Sequence, residues 1–183
     1  MKKALIPLAL AFASNAALAA TPLPGIINFY GGVQAGGPCP IEVVDPTTGI
    51  PTRVELGFPY VSQFANPGDK TAPVNFALKI TPVPGTCDIQ PNTEVDVVFE
   101  SSGGPIGAGS DLYKLLPGST QDLGISILDK NGTRLAPGTA SAMYQLDQSR
   151  PTLMEFSAHY EAINAPVADG QALANVSFVV NLP

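Results

Sequence analysis

Glycine and proline interrupt this chain so often that only short secondary-structure elements can form between them. The 183 residues include 18 glycines and 19 prolines, which are spread along the whole length. Both residue types break long helices, because proline lacks a backbone donor and glycine adopts turn conformations easily. With 45% hydrophobic and 13% charged residues, the chain still has enough apolar surface to bury a core. This combination predicts an all-β domain whose strands are short and connected by turns.

Segments between these breaks alternate apolar and polar residues with the period of two that is typical of strands. Residues 173–182 are the clearest example. Asn131-Gly132 predicts a tight hairpin, because both residues tolerate positive φ. A single helical turn is predicted at Asp111–Leu116. The predicted strands are 27–33, 39–44, 52–56, 74–80, 95–99, 123–129, 142–146, 153–160 and 173–182.

The first 19 residues have the pattern of a signal peptide. Lys2 and Lys3 provide the positive charge, Ala4–Leu18 is apolar, and Ala17-Leu18-Ala19 is the small-x-small pattern that a signal peptidase cuts. A membrane anchor is the alternative, but the apolar run is shorter than the ~20 residues that span a bilayer. We therefore expect an exported mature chain that begins at Ala20 and does not span the membrane.

The two cysteines of this exported chain, Cys39 and Cys87, predict one disulfide bond. Together with the single histidine they are too few for a metal site, and no metal or cofactor is expected. The formal net charge is −6, and removal of Lys2 and Lys3 makes it more negative. Such a chain has no basic surface for phosphates, so nucleic acid is not an expected partner.

No group of residues predicts catalysis. His159 alternates with apolar residues in segment 153–160, which predicts a strand histidine that faces solvent. Glu94, Asp96 and Glu100 alternate with apolar residues as well, as on the wet face of a strand. The chain is therefore not expected to be an enzyme, and no catalytic residue is assigned.

Five patterns occur in order along the chain. The first is the I-x-F-x-G-x-V run ahead of Cys39, and the last is Gly170-x-Ala172-x-Ala174, which leads into the final alternating segment. Between them lie segments 76–80, 123–132 and 154–160. Together they resemble the type 1 fimbrial family, the pilins that are assembled by the chaperone–usher pathway. The resemblance covers nearly the whole chain.

This resemblance implies an incomplete immunoglobulin-like β-sandwich, the pilin fold, which lacks its last strand. Residues 1–19 would be the signal peptide, 20–38 an N-terminal donor-strand extension and 39–183 the pilin domain. In this family the extension of one subunit adds a strand to the next. The implied function is a structural pilus subunit, in the shaft or as a minor polymerising subunit, that supports cell adhesion. Cys39 and Cys87 match the family disulfide.

The resemblance also assigns roles to both ends of the mature chain. The donated strand would present Ile27, Phe29, Gly31, Val33 and Ala35. The acceptor groove and chaperone-recognition strand would include Gly170, Val176, Phe178, Val180, Leu182 and Pro183. Leu182 stands where the family has a tyrosine, so the contact of the tyrosine hydroxyl is missing. The implied partners are identical or related pilin subunits, a periplasmic pilus chaperone and an outer-membrane usher, which bring the subunit through the periplasm into a pilus on the cell surface.

A self-complemented, secreted immunoglobulin-like binding module is the alternative function. In that molecule the N-terminal segment would fold back and complete its own sheet. Only residues 36–38 separate Ala35 from Cys39, and this short connection disfavours the fold-back arrangement.

The signal peptide can be tested by sequencing the N-terminus of the exported protein, which we expect to begin at Ala20. Replacing Ala19 by Arg should leave the precursor uncut, because the peptidase needs a small residue before the cleavage point. The substitution Leu18→Val is the control and should leave cleavage unchanged. An exported protein that retains Lys2 and Lys3 would contradict the assignment.

Overall fold

The computed structural model describes residues 39–182, and these form two antiparallel sheets. The strands are β1 (Ile41–Val44), β2 (Val74–Ile80), β3 (Glu94–Ser101), β4 (Pro105–Ile106), β5 (Leu112–Lys114), β6 (Leu123–Leu128), β7 (Arg134–Leu135), β8 (Tyr144–Gln145), β9 (Thr152–Ala162) and β10 (Val176–Asn181). A short 3₁₀ turn covers Val61–Gln63. The all-β prediction is confirmed. The predicted signal peptide, residues 20–38 and Pro183 lie outside the described residues. Within 39–182, no helix is long and apolar enough to cross a membrane.

The larger sheet has the strand order β1-β2-β9-β6-β5-β4, and β7 pairs with β6 as well. The smaller sheet has the order β10-β3-β8. All strand pairs among the described residues are antiparallel. β1 is thus an edge of the larger sheet and β10 an edge of the smaller one.

The core lies between the sheets and is centred on aromatic rings from three strands. Phe76 of β2 stacks on Phe156 of β9 at 5.7 Å, and Phe99 of β3 meets Phe156 edge to face at 4.9 Å. Alternation predicts these inward positions, because every second side chain of a strand faces the same side. A second apolar cluster, at one end of the sandwich, includes Phe64 and Tyr160.

The predicted disulfide is present and joins Cys39 to Cys87, which are 48 residues apart in sequence. A crosslink that closes a loop of this length stabilises the fold by about 4 kcal/mol on the chain-entropy account. It fixes the start of β1 next to the chain that follows β2. A four-residue edge strand is in this way held in place covalently at one end.

Most strand predictions are confirmed, but two elements differ. Residues 74–80 form β2 as predicted, and Gly132 has the positive φ of 74° that its hairpin requires. The helical turn predicted at Asp111–Leu116 is wrong, because Leu112–Lys114 pairs with β4 and β6 as β5. Segment 52–56 keeps the alternating burial of a strand without belonging to either sheet.

His159 does not face solvent as predicted, because the outer face of the larger sheet is covered at this point. Its side chain is only 4% exposed and lies opposite Ser126 on β6. The imidazole Nε2 is 3.6 Å from a carboxylate oxygen of Glu161, which also pairs with Arg134. Burial lowers the pKa of His159, and the Glu161 charge offsets only part of this effect, since Lys70 and Arg134 oppose protonation.

The buried His159 predicts a loss of stability in mild acid. Its folded-state pKa lies below the ordinary value of 6.5, so the unfolded chain binds more protons between these two values. The free energy of unfolding should therefore fall as the pH drops through 6.5 towards the folded-state pKa, and this effect should be absent above 6.5. Urea unfolding across this range measures it. The His159→Gln variant should have a flatter profile, and an equal slope in both proteins would contradict the assignment.

Candidate strand-acceptor groove

The edge strand β10 pairs with a neighbour on one side only. Its partner is β3, in a register that places Phe178 opposite Phe99 and Asn181 opposite Asp96. Among residues 39–182, no strand pairs with the other edge of β10. The main-chain groups along that edge are therefore available to a further strand.

The inward face of β10 is only partly covered. Val176, Phe178 and Val180 pack against the main core, yet each remains half-buried. The Phe178 ring meets Phe99 at 6.5 Å, at the margin of the aromatic cluster. Val179 points to the opposite side and is 55% exposed. An apolar row in contact with the core and open on one side is what a missing neighbouring strand leaves behind.

A second set of partly buried apolar residues, which we call the wall, comes from the first part of the described chain. Ile41 and Val43 of β1, together with Val54 and Leu56, pack against the same core cluster as the β10 row and are also only partly buried. The Thr52 amide donates to the Val43 carbonyl at 3.0 Å, which holds segment 52–56 beside β1. We call the space between this wall and β10 the groove.

A cavity of about 280 Å³ marks one end of the groove. The disulfide Cys39–Cys87 lines it together with Ile89, Thr93 and Leu182. The residue that follows β10 and the residues that precede β1 therefore face one common hollow. This observation places the beginning of β1 near the end of β10.

A model of the fimbrial protein family matches residues 27–182. This chain belongs to the fimbrial protein family. It is 30% identical over 179 residues to the long polar fimbria protein A of Salmonella typhimurium, covering 97% of this chain and 95% of that one. It is 28% identical over 183 residues to the S-fimbrial protein subunit SfaA of Escherichia coli, covering 94% and 91%.

Solved structures with the same fold include pilus subunits. The P pilus rod subunit PapA is matched with a TM-score of 0.60 at 19% identity, over 80% of this fimbrial protein and all of that chain. A subunit in the structure of a chaperone–usher pilus is matched with a TM-score of 0.58 at 20% identity, over 90% and 100%. The expected immunoglobulin-like pilin sandwich with open sheet edges is thereby confirmed.

The structure brings most of the described site residues together and separates one of them. Val176, Phe178, Val180 and Leu182 follow the groove in order. Gly170 lies outside β10, in an exposed segment beside Thr120. A Cβ at Gly170 would lie 3.8 Å from its nearest neighbour, which is an ordinary contact. The donor residues 27–35 and Pro183 are outside the described residues.

Sequence reasoning missed the wall opposite β10. Val54 and Leu56 lie in a segment whose alternation predicted a strand, but nothing in that pattern tells which neighbour the segment has. Ile41 and Val43 were expected to be strand residues and were not assigned to the groove. The apolar alternation at 41–43 and 54–56 indicates one buried face in each segment, and this was the signal that the sequence offered.

The position of Gly170 predicts that the fold does not require glycine there. Gly170→Ala should change the free energy of unfolding by less than about 0.5 kcal/mol. Gly124→Ala is the contrasting variant, because its Cβ would lie 2.9 Å from the Leu112 Cβ, and should cost about 1–3 kcal/mol. Urea unfolding of the purified fimbrial protein compares the two. A large loss for Gly170→Ala would contradict the placement.

Proposed function

We propose that this fimbrial protein is a structural subunit of a chaperone–usher pilus that polymerises by donor-strand exchange. Residues 27–35 of one copy, within the 20–38 extension, occupy the groove of the next copy. The observation that carries this proposal is the unpaired edge of β10, with its row of half-buried apolar side chains.

The proposed donor has the periodicity that the groove requires. Ile27, Phe29, Gly31, Val33 and Ala35 alternate with the period of two shared by the β10 row, Val176, Phe178, Val180 and Leu182. One face of the donated strand would then cover the half-buried row, while its backbone pairs with the free edge. Gly31 would lie where the strand passes closest to the groove floor.

The contact between the donated strand and the groove needs both side-chain burial and main-chain hydrogen bonds to be stable. Burial of Ile27, Phe29 and Val33 contributes on the order of 1.5–3 kcal/mol for each side chain. Ordering the extension costs roughly 1–2 kcal/mol per residue, so side-chain burial alone does not suffice. Main-chain hydrogen bonds along β10 supply the remainder.

The open groove also supports the proposal that a chaperone binds the subunit before it reaches the cell surface. An apolar groove beside a free strand edge promotes aggregation, so the subunit needs cover in the periplasm before it meets the next copy. A periplasmic pilus chaperone would supply that cover at Gly170, the β10 row and Pro183, and an outer-membrane usher would receive the complex. Leu182 offers the chaperone an apolar contact without a hydroxyl group.

The proposal can be tested with undenatured exported protein on a detergent gel. The full chain should form a ladder of multiples that collapses to one band after boiling. Phe29→Asp should abolish the ladder because it places a charge on the buried face of the donated strand. Asn28→Asp, the same charge on the alternate face, is the matched control and should keep the ladder.

A matched pair of variants in β10 tests the acceptor groove. Val180→Asp should abolish the ladder, whereas Val179→Asp should retain it, because Val179 points away from the core and is 55% exposed. Mixing Phe29→Asp with Val180→Asp should restore a two-subunit product, since the first variant can still accept and the second can still donate. Ladder formation by either variant alone would refute donor-strand exchange.

The self-complemented module predicts a different outcome. A monodisperse monomer with its own residues 27–35 in its own groove would give no ladder for the full chain. Gel filtration of the full chain together with the gel therefore separates the two functions.

A further inference from the structure

A loop between segment 52–56 and β2 presents a compact apolar patch on the surface. Phe58 is fully exposed, Tyr60 is 79% exposed and Val61 is 47% exposed. We call these three residues the Phe58 patch. Large apolar side chains are seldom exposed next to one another in a monomeric protein. The Phe58 patch is therefore a candidate binding surface.

The residues on either side of the Phe58 patch are anchored in the sandwich. Leu56, two residues before it, packs against both apolar clusters of the sandwich, and Phe64, three residues after it, is only 2% exposed. The 3₁₀ turn Val61–Gln63 connects the patch to Phe64 through a bond from the Phe64 amide to the Val61 carbonyl. The apolar side chains are therefore presented by an anchored loop.

The loop lies at the end of the sandwich where β10 begins. Phe64 belongs to the cluster against which Ala172 and Ala174 pack, and these alanines directly precede Val176. The loop continues to Gly68, whose amide donates to the carbonyl of Ala162 at the same end of β9. The disulfide cavity beside Leu182 marks the other end of the groove.

The antiparallel pairing of the strands indicates which end of the groove lies next to the domain of the donating copy. All strand pairs within residues 39–182 are antiparallel, so we take the donated strand to run antiparallel to β10. Its Ala35 end then lies beside Val176, at the end that carries the Phe58 patch. Cys39 of the donating copy follows Ala35 by four residues, a reach of roughly 14 Å at most. The pilin domain of the donor therefore begins next to the patch.

The size of the patch fits a contact that forms only after the subunits are joined. Two aromatic side chains bury about 150–250 Å² each, whereas a stable interface needs about 800 Å² on each partner. The patch is thus too small to hold free subunits together. A donated strand raises the effective concentration of the neighbour to the millimolar range, where a weak contact forms.

We infer that the Phe58 patch docks onto the pilin domain of the copy whose N-terminal extension fills the adjacent groove, and that this contact sets the angle between consecutive subunits. The inference rests on the proposed donor-strand exchange. It adds a second joint, formed by side chains on the surface, to the one formed by the donated strand.

Photo-crosslinking of joined pairs tests this inference. A photoreactive phenylalanine analogue is placed at position 60 of the full chain, and two-subunit oligomers are isolated by gel filtration without detergent. Irradiation followed by boiling should leave a covalent dimer, and its crosslinked peptide should come from residues 39–183 of the second copy. The same analogue at Met143, which is 47% exposed next to β8 at the far edge of the smaller sheet, is the control and should yield several-fold less dimer.

The outcomes separate the two proposals. Absence of a ladder from the unmodified chain would overturn donor-strand exchange and this inference with it. A normal ladder with no more crosslinking at position 60 than at position 143 would overturn the docking contact alone. As a second measurement, the double variant Phe58→Ser and Tyr60→Ser should keep the ladder but form fibres of several-fold shorter persistence length in electron micrographs. Unchanged persistence length would also count against the contact.

Discussion

The unsatisfied edge of β10 is the constraint on which the rest of this molecule depends. A β-sandwich normally covers its inner faces with complete sheets, and a strand edge in contact with the core is a site of association. Here the edge strand carries half-buried Val176, Phe178 and Val180, and Val54 and Leu56 pack against the same core cluster. The apolar row of β10 packs against the same core cluster as three rings that contact one another, Phe76, Phe99 and Phe156.

Features with a local cause could be predicted from the sequence. Alternation at 74–80 and 153–160 identified the central strands, since every second side chain of a strand faces the same side of its sheet. The turn between β6 and β7 follows from the positive φ that glycine tolerates, since Gly132 adopts a φ of 74° there. The apolar row of β10 was assigned to the groove through the family resemblance, and the structure places it on a free edge.

Features that depend on contacts between distant segments could not be predicted in this way. His159 has the pattern of an exposed residue, but it is buried opposite Ser126 of β6, and Arg134 of β7 pairs with the neighbouring Glu161. Leu112–Lys114 was expected to be a helical turn, yet pairing with β4 and β6 makes it a strand. The role of Val54 and Leu56 in the wall could not be predicted. Periodicity indicates that a residue is buried, but it does not indicate which residues it packs against.

The disulfide between Cys39 and Cys87 has a mechanical consequence in a fibre. Tension on a fibre joined by donated strands would enter each domain through the chain just before Cys39. Without a covalent link, that force would peel the four-residue strand β1 from its neighbour one hydrogen bond at a time. The bond to Cys87 carries the pull past β1 to the end of β2, which pairs along its whole length with β9. In such a fibre the load would be shared with the seven-residue strand β2 and its partner β9 and would not rest on β1 alone.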